Sequence, residues 1–180
     1  MGRIVCVANQ KGGVGKTTTA SNVAAGLAKA GMHTLLVDLD PQCNATTGLG
    51  GLPAKTHPLV SESALSENVV STTVTNLSLL PGSRSVRDVE RIAEQARAGS
   101  MVLSNHLSCG LNAWDYCLID CPPSLGELTR TALAGSTEVL MPIQCEYFAL
   151  EGLTQMIEVI RDVMADQHGR LSFSGIVLTM

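Results

Sequence analysis

Short apolar segments alternate with segments of helical periodicity along most of the chain, and this alternation predicts an α/β fold. Six apolar segments are predicted to be strands, at residues 3–9, 34–39, 77–80, 116–119, 137–142 and 173–179. They are apolar at consecutive positions, which is typical of strands covered on both faces. We therefore predict a three-layer fold, with a mainly parallel sheet between two layers of helices.

The helices are predicted from apolar positions three and four residues apart. They are expected over residues 16–30, 84–98 and 153–166, with a weaker helical segment at 101–109 and a short helix near 61–67. The remainder of residues 42–76 is rich in Gly, Ser, Thr and Asn, and the pattern places no other element there.

Composition narrows the class of protein. Hydrophobic residues make up 45% of the 180 positions and charged residues 16%, a balance that excludes intrinsic disorder. Aromatic residues make up only 3%, which argues against a base-stacking platform, and the net charge of −4 gives no chain-wide footprint for DNA. No apolar run approaches the ~20 residues that span a bilayer, so we expect a cytoplasmic protein with no membrane partner.

The six cysteines are spread along the chain and form no C-x-x-C pair. We interpret them as reduced, mostly buried thiols rather than as ligands of a metal or an iron–sulfur cluster. Cys117 and Cys121 are the only close pair, and they need not face a common point.

Residues 1–180 show no internal repeat and no linker of domain size, so we predict a single domain. The final apolar strand has no helix after it in the sequence. Because a parallel strand needs such a cover, we expect the chain to be the N-terminal part of a longer one, truncated at its C-terminal end.

A glycine-rich segment after the first strand has the features of a phosphate-binding loop. It opens the first predicted helix and reads Gly12-Gly13-Val14-Gly15-Lys16-Thr17-Thr18. Its glycines allow the backbone to curl so that N–H groups point at phosphate oxygens, and the helix N-terminus adds a partial positive charge. Lys16 is expected to bind the β- and γ-phosphates, Thr17 to bind Mg²⁺, and Thr18 to donate to the α-phosphate.

The loop departs from the usual pattern at its start. Gln10 stands where the first glycine of G-x-x-x-x-G-K-[ST] is expected, and Lys11 follows it. A lysine at this position could reach a nucleotide held by a facing subunit.

Three acidic residues complete the candidate site because they lie where predicted strands end. Ligands of open parallel sheets sit beyond the carboxyl ends of the strands. Asp120 is expected to hold Mg²⁺, directly or through water, and Asp40 to orient the attacking water. Asp38 is a further candidate for the metal shell. Simple solvation at a strand end is the alternative for each acid taken alone.

Several motifs resemble those of the ParA/MinD ATPases, and the subtype resembles the ParA (Soj) partition proteins. Residues 11–18 (KGGVGKTT) resemble the deviant Walker A motif of that family. Residues 37–42 (VDLDPQ), followed by Asn44-Ala45-Thr46, resemble its next motif, and residues 116–124 (YCLIDCPPS) its Walker B and second switch. Residues 144–152 (QCEYFALEG) and 175–180 resemble later family segments. The resemblance covers nearly the whole chain except residues 50–76.

The resemblance implies a P-loop NTPase fold and an ATP-dependent homodimer that sandwiches two nucleotides. ATP or ADP and Mg²⁺ are the implied cofactors, with Lys11 and Lys16 acting on the phosphates, Thr17 and Asp120 serving the metal, and Asp40 positioning water. It also implies non-specific DNA binding on the nucleoid, a ParB-like activator of slow hydrolysis, and chromosome or plasmid partition.

Two features of this sequence differ from the family pattern and affect which family properties it is expected to share. Cys43 occupies a position where the family most often has glycine, which predicts a stiffer first switch. The family's C-terminal region, which carries much of the adenine pocket and the DNA-binding arginines, lies beyond Met180. Three alternatives therefore stay open: an ATPase that positions a protein cargo, a MinD-like membrane cycler, and a nucleotide-binding fragment that does not hydrolyse ATP.

Overall fold

The computed structural model describes residues 2–61, 63–88, 114–145, 149–166 and 170–180. Within these ranges the strands are β1 (Arg3–Val7), β2 (Thr34–Asp38), β3 (Val70–Ser71), β4 (Leu77–Leu80), β5 (Tyr116–Asp120), β6 (Glu138–Gln144) and β7 (Ser172–Thr179). They form one sheet in the order β3-β4-β2-β5-β1-β6-β7. Every pairing is parallel except that of β3 with β4.

The described helices connect these strands. They are α1 (Lys16–Lys29), α2 (Asn44–Gly48), α3 (Pro58–Ser61), α4 (Glu127–Ala134) and α5 (Ala149–Asp166), with short 3₁₀ turns at Leu65–Glu67 and Arg84–Val86. None of the helices in the described ranges combines the length and the apolar character that a membrane span needs.

Two hydrophobic cores lie on opposite faces of the sheet, as the consecutive apolar positions predict. In β1, Ile4 and Cys6 belong to one core, and Val5 and Val7 to the other. The first core is closed by apolar side chains of α4 and α5, and the second by three alanines of α1, at positions 20, 24 and 28. Alanine has no bulk beyond its β-carbon, so α1 packs close to the sheet.

The structure confirms the three-layer α/β fold, and all six predicted strands are present with small shifts at their ends. The first and the last predicted helices are also present, although α5 begins at Ala149, four residues before the predicted start. The helices predicted over 84–98 and 101–109 fall mostly outside the described residues; the described start of the first is the 3₁₀ turn Arg84–Val86.

Four described elements were not predicted, namely α2, α3, β3 and α4, and the short helix expected near 61–67 is present as the 3₁₀ turn Leu65–Glu67. Strand β3 is only two residues long, and both of its residues are exposed. Helix α4 was missed because two of its buried positions are polar: Thr129 and Thr131 are both 0% exposed. The Thr129 hydroxyl donates a hydrogen bond to the Ser124 carbonyl oxygen at 2.8 Å. The spacing of Leu128, Ala132 and Leu133 is the signal that could have revealed this helix.

The sheet topology places three loops side by side. Strands β2, β5 and β1 are adjacent and parallel, and Asp120 is in register with both Asp38 and Val7. The segments that follow these strands, residues 8–15, 39–43 and 121–126, therefore leave the sheet at the same edge. This edge carries the candidate site.

Candidate functional site

The glycine-rich loop adopts the backbone that its glycines were expected to provide. Gly13 and Gly15 have φ angles of 78° and 83°, in the left-handed region that side chains disfavour. Gly15 is the residue before α1, and the Thr19 N–H bonds back to its carbonyl oxygen at 2.8 Å. The N–H groups of residues 16–18 come before this first helical bond and therefore have no partner within the helix. An anion is favoured at this end of the helix.

Polar side chains from β6, β7 and the end of β1 hold this loop in place. The Asn9 amide donates to the Pro142 carbonyl oxygen at 2.6 Å, and its side-chain oxygen accepts from the Lys11 N–H at 3.1 Å. The Thr179 hydroxyl donates to the Val14 carbonyl oxygen at 3.0 Å. The supporting roles of Asn9 and Thr179 were not predicted from the sequence; their polar side chains at or just beyond strand ends were the available signal.

Lys16 is folded back onto its own loop. Its side chain is buried, and the ammonium group donates to the Lys11 carbonyl oxygen at 2.8 Å. Burial lowers the pKa of Lys16, while the negative charge of Asp120 opposes that change. The lysine is thus held beside the loop by one hydrogen bond that a phosphate oxygen could replace.

Asp120 is a buried carboxyl group at the end of β5 whose two oxygens have no hydrogen-bond partner of normal geometry. Burial raises its pKa to about 7; the charges of Asp38 and Asp40 add to the rise, and the nearby Thr17 hydroxyl and Lys16 oppose it. A buried carboxylate without partners is destabilising unless a cation reaches it. The donor set of Asp120 and Thr17 therefore fits a hard cation such as Mg²⁺.

Replacing Asp120 with asparagine is expected to make the protein progressively more stable than wild type as the pH rises. The pKa is 3.8 in the unfolded chain and about 7 in the folded protein. Between these values the folded protein retains a proton that the unfolded chain has lost, so raising the pH destabilises the wild type but not the variant. From pH 5 to pH 8 the advantage of Asp120→Asn should grow by about 3 kcal/mol.

Urea unfolding of both proteins at several pH values, with EDTA and without nucleotide, measures this difference. An advantage that does not change with pH would show that Asp120 is not a buried titrating carboxyl group.

The loops that follow β1 and β2 line an open pocket of about 260 Å³. Asp40 lies in its wall and is 6% exposed, with one carboxylate oxygen accepting from the Gln42 N–H at 2.8 Å. The pocket brings together most of the predicted phosphate-binding residues and adds three others from the neighbouring loops: Gly12, Gly13, Gly15, Lys16, Thr17, Thr18 and Asp40, joined by Gln42, Asn44 and Pro123.

Four predicted site residues do not line this pocket: Asp120, described above, and the three that follow. Val14 is 1% exposed and packs in the loop, contributing its backbone rather than a side chain to the site. Lys11 is half-buried at the loop's start, and its carbonyl oxygen binds Lys16. Asp38 is fully buried below the pocket and accepts hydrogen bonds from Thr46. The roles assigned to all predicted site residues remain predictions.

Cys43 links Asp40 to α2 and has an unusual backbone. Its φ of 56° and ψ of 35° are left-handed, and it is 2% exposed. A residue with a β-carbon costs roughly 1–2 kcal/mol in this conformation, which is why glycine would be favoured here.

Because of this strain, we expect Cys43→Gly to be more stable than Cys43→Ala by about 1 kcal/mol. At ordinary positions the order is reversed, because glycine loses more backbone entropy on folding. Thermal or urea unfolding of the two variants tests the prediction. A more stable alanine variant would exclude strain at position 43.

Cys117 and Cys121, the cysteines closest to each other in the sequence, are not paired in the structure. Cys6 and Cys121, both buried, have Sγ atoms 3.3 Å apart, and Cys117 is buried elsewhere in the same core. In the ranges that the structure describes, no three His, Cys, Asp or Glu side chains are grouped so that they could hold a metal ion. A cation at Asp120 would therefore need ligands of other kinds, such as the Thr17 hydroxyl, phosphate oxygens or water.

Three features define the class of P-loop nucleotide-binding proteins. They are a parallel sheet, a glycine-rich loop that opens a helix and carries a buried lysine, and a carboxyl group on the neighbouring strand. The family model AAA_31, described as an AAA domain, matches residues 2–173. The sporulation initiation inhibitor protein Soj of Bacillus subtilis is 42% identical over 185 residues, covering 100% of this chain and 73% of the relative. The chromosome-partitioning ATPase Soj of Treponema pallidum is 46% identical over 184 residues, covering 100% and 72%. The chain belongs to the ParA/Soj family.

Solved structures agree with this assignment. Cobyrinic acid a,c-diamide synthase from Mycobacterium smegmatis, with bound ADP and magnesium, superposes with a TM-score of 0.93 at 36% identity, over 99% of this chain and 74% of that one. A plasmid partition protein from Borrelia burgdorferi gives 0.84 at 26% identity, over 99% and 78%. The P-loop NTPase fold predicted from the motifs is thereby confirmed.

Proposed function

We propose that this chain binds ATP with Mg²⁺, hydrolyses it, and uses the cycle to partition chromosomal or plasmid DNA. The observation that carries the proposal is the pairing of a buried lysine on a replaceable hydrogen bond with a buried carboxyl group that lacks partners. A polyphosphate would give Lys16 negatively charged oxygens to bind, and a divalent cation would give the Asp120 carboxylate a partner. Magnesium and ADP bound to the Mycobacterium smegmatis protein support this reading.

The loop residues would bind the phosphates by charge and backbone dipoles. Lys16 would exchange the Lys11 carbonyl oxygen for oxygens of the β- and γ-phosphates, and the first turn of α1 would contribute its N–H groups. Thr18 would donate to the α-phosphate. These contacts place negative charge where the helix end and Lys16 already favour it.

Thr17 and Asp120 are the residues that would hold Mg²⁺; Asp38, the third candidate from the sequence, has both oxygens engaged by hydrogen bonds. When bound, the ion neutralises the charge that develops on the phosphate oxygens during transfer. Asp40 would accept a hydrogen bond from the attacking water and align it, since its carboxyl group lies in the pocket wall beside the loop.

Lys11 would act on the nucleotide of a second copy, so that ATP promotes a homodimer. In cells, such dimers would bind DNA without sequence preference on the nucleoid in the cytoplasm, through a region beyond Met180, and a ParB-like protein would accelerate hydrolysis. No membrane partner is expected, and residues 1–180 would act as a single ATPase domain within that protein. The family membership supports this part of the proposal.

Phosphate release and light scattering on the natural full-length protein test the proposal. With ATP and Mg²⁺ we expect slow release, a dimer, and faster release on adding DNA and the ParB-like partner. Lys11→Ala should still bind ATP but stay monomeric, whereas Lys55→Ala, at an exposed lysine away from the pocket, should behave as wild type.

Other outcomes would favour the alternatives. ATP binding without any phosphate release would indicate a nucleotide-binding module. ATP-dependent binding to lipid vesicles instead of DNA would indicate a membrane cycler, and binding to neither would favour a protein cargo.

A further inference from the structure

Thr46 in α2 forms a buried junction between three parts of the molecule. Its hydroxyl donates to the Asp38 carboxylate at 2.6 Å and accepts from the Gly82 N–H at 2.8 Å. Its own N–H donates to the same Asp38 oxygen at 2.8 Å. Thr46 and Asp38 are both 0% exposed. We call Asp38, Thr46 and Gly82 the Thr46 junction; it joins the end of β2, helix α2 and the loop after β4.

The junction continues directly to Asp40. The second carboxylate oxygen of Asp38 accepts from the Asp40 N–H at 3.1 Å. On its far side, the Asp40 carboxylate accepts from the Gln42 N–H and its backbone carbonyl oxygen accepts from the Cys43 N–H, at 2.8 Å each. The position of Asp40 is therefore fixed by hydrogen bonds on both sides, and those on the buried side start at Asp38.

Close packing at Gly82 leaves the junction no freedom to shift. A β-carbon added to Gly82 would lie 2.8 Å from Asp38 Cγ, closer than such atoms approach in proteins. The Gly82 backbone thus rests directly on the carboxylate. The neighbouring strand β4 is tied to β2 by parallel pairing up to Val37 and Leu80.

Hydrogen bonds from Thr46 and Asp40 account for both oxygens of Asp38, whereas the two oxygens of Asp120 have no such partners. We infer that Asp38 and Thr46 are positioning residues, which hold Asp40 in place for water alignment instead of binding the metal ion. This inference rests on the proposed function, because it assigns how the residue proposed to align water is held.

Thr46→Val tests the inference, because valine keeps the shape of the side chain and removes only the hydroxyl. We expect kcat for phosphate release to fall about tenfold, with KM for ATP and the Mg²⁺ concentration at half-maximal rate unchanged. Thr46→Ser should restore kcat. Thr47→Val is the matched control: its hydroxyl is exposed and bonds only carbonyl oxygens of its own helix region, so activity should not change.

An unchanged kcat in Thr46→Val would overturn the inference. So would a tenfold higher Mg²⁺ requirement in Asp38→Asn with kcat restored at saturating metal, because that result identifies Asp38 as a metal ligand. Amide hydrogen exchange covers the case in which a variant does not fold: in the wild type, the Gly82 and Asp40 N–H groups should be protected like the core strands. Exchange as fast as in exposed loops would reject the junction.

The two proposals fail in different ways. If the wild-type protein releases no phosphate, the proposed function fails, and the junction is then judged by hydrogen exchange of Asp40 and Gly82 in the wild type and in Thr46→Ser. If wild-type protein hydrolyses ATP and Thr46→Val does so equally well, only the junction's role is rejected.

Discussion

Replacing Lys16 with alanine is expected to lower the affinity for ATP with Mg²⁺ by about 100-fold. The variant loses the only full positive charge among the side chains that line the pocket within the described residues. Because bonds to two phosphate oxygens would replace the present bond to the Lys11 carbonyl oxygen, the net loss is that of one charge-assisted hydrogen bond, worth about 1.5–3 kcal/mol. A 100-fold change corresponds to about 2.7 kcal/mol, which is within that range.

Titration with a fluorescent ATP analogue measures this affinity. Lys29→Ala is the matched control, because Lys29 is an exposed lysine in the last turn of the same helix, remote from the loop. Equal affinities of wild type and Lys16→Ala would remove the glycine-rich loop from the binding site.

Replacing Asp40 with alanine is expected to reduce the rate of phosphate release by about 100-fold or more while ATP binding is retained. Groups that accept a proton or align a reactant typically contribute factors of about 10²–10⁴. The Asp40 backbone is held by bonds to Asp38 and from Cys43, so the loop should keep its shape although the Gln42 N–H loses its bond to the carboxylate.

Single-turnover phosphate release, with binding measured in parallel, separates the two effects. Asp40→Asn should also be slow, because an amide is a much poorer acceptor, and Asp166→Ala, at an exposed position on α5, should match wild type. Wild-type turnover in Asp40→Ala would show that another group aligns the water.

The parts of the site that could be predicted from sequence are those in which a local segment determines the geometry. Gly13 and Gly15 adopt the left-handed backbone that only glycine takes easily, and Lys16 begins α1 as the loop pattern implied. Asp40 and Asp120 are brought to one edge because each follows a parallel strand, a consequence of topology that the alternation of elements already indicated.

The supporting contacts could not be predicted because they join residues far apart in the sequence. Thr179 reaches Val14 across 165 positions and Gly82 reaches Thr46 across 36, and neither contact leaves a periodic signal. The approach of Cys6 to Cys121 depends likewise on the pairing of β1 with β5. Helix α4 was missed for a different reason, because buried threonines interrupt its apolar pattern.

A crystal structure of the protein with a non-hydrolysable ATP analogue and Mg²⁺ would show whether the glycine-rich loop binds the polyphosphate. We expect the Lys16 ammonium to leave the Lys11 carbonyl oxygen, now 2.8 Å away, and to bind the β- and γ-phosphates, with the metal ion beside Thr17 and Asp120. An analogue bound elsewhere at saturation, with Lys16 still bonded to Lys11 and Asp120 still without a partner, would contradict it.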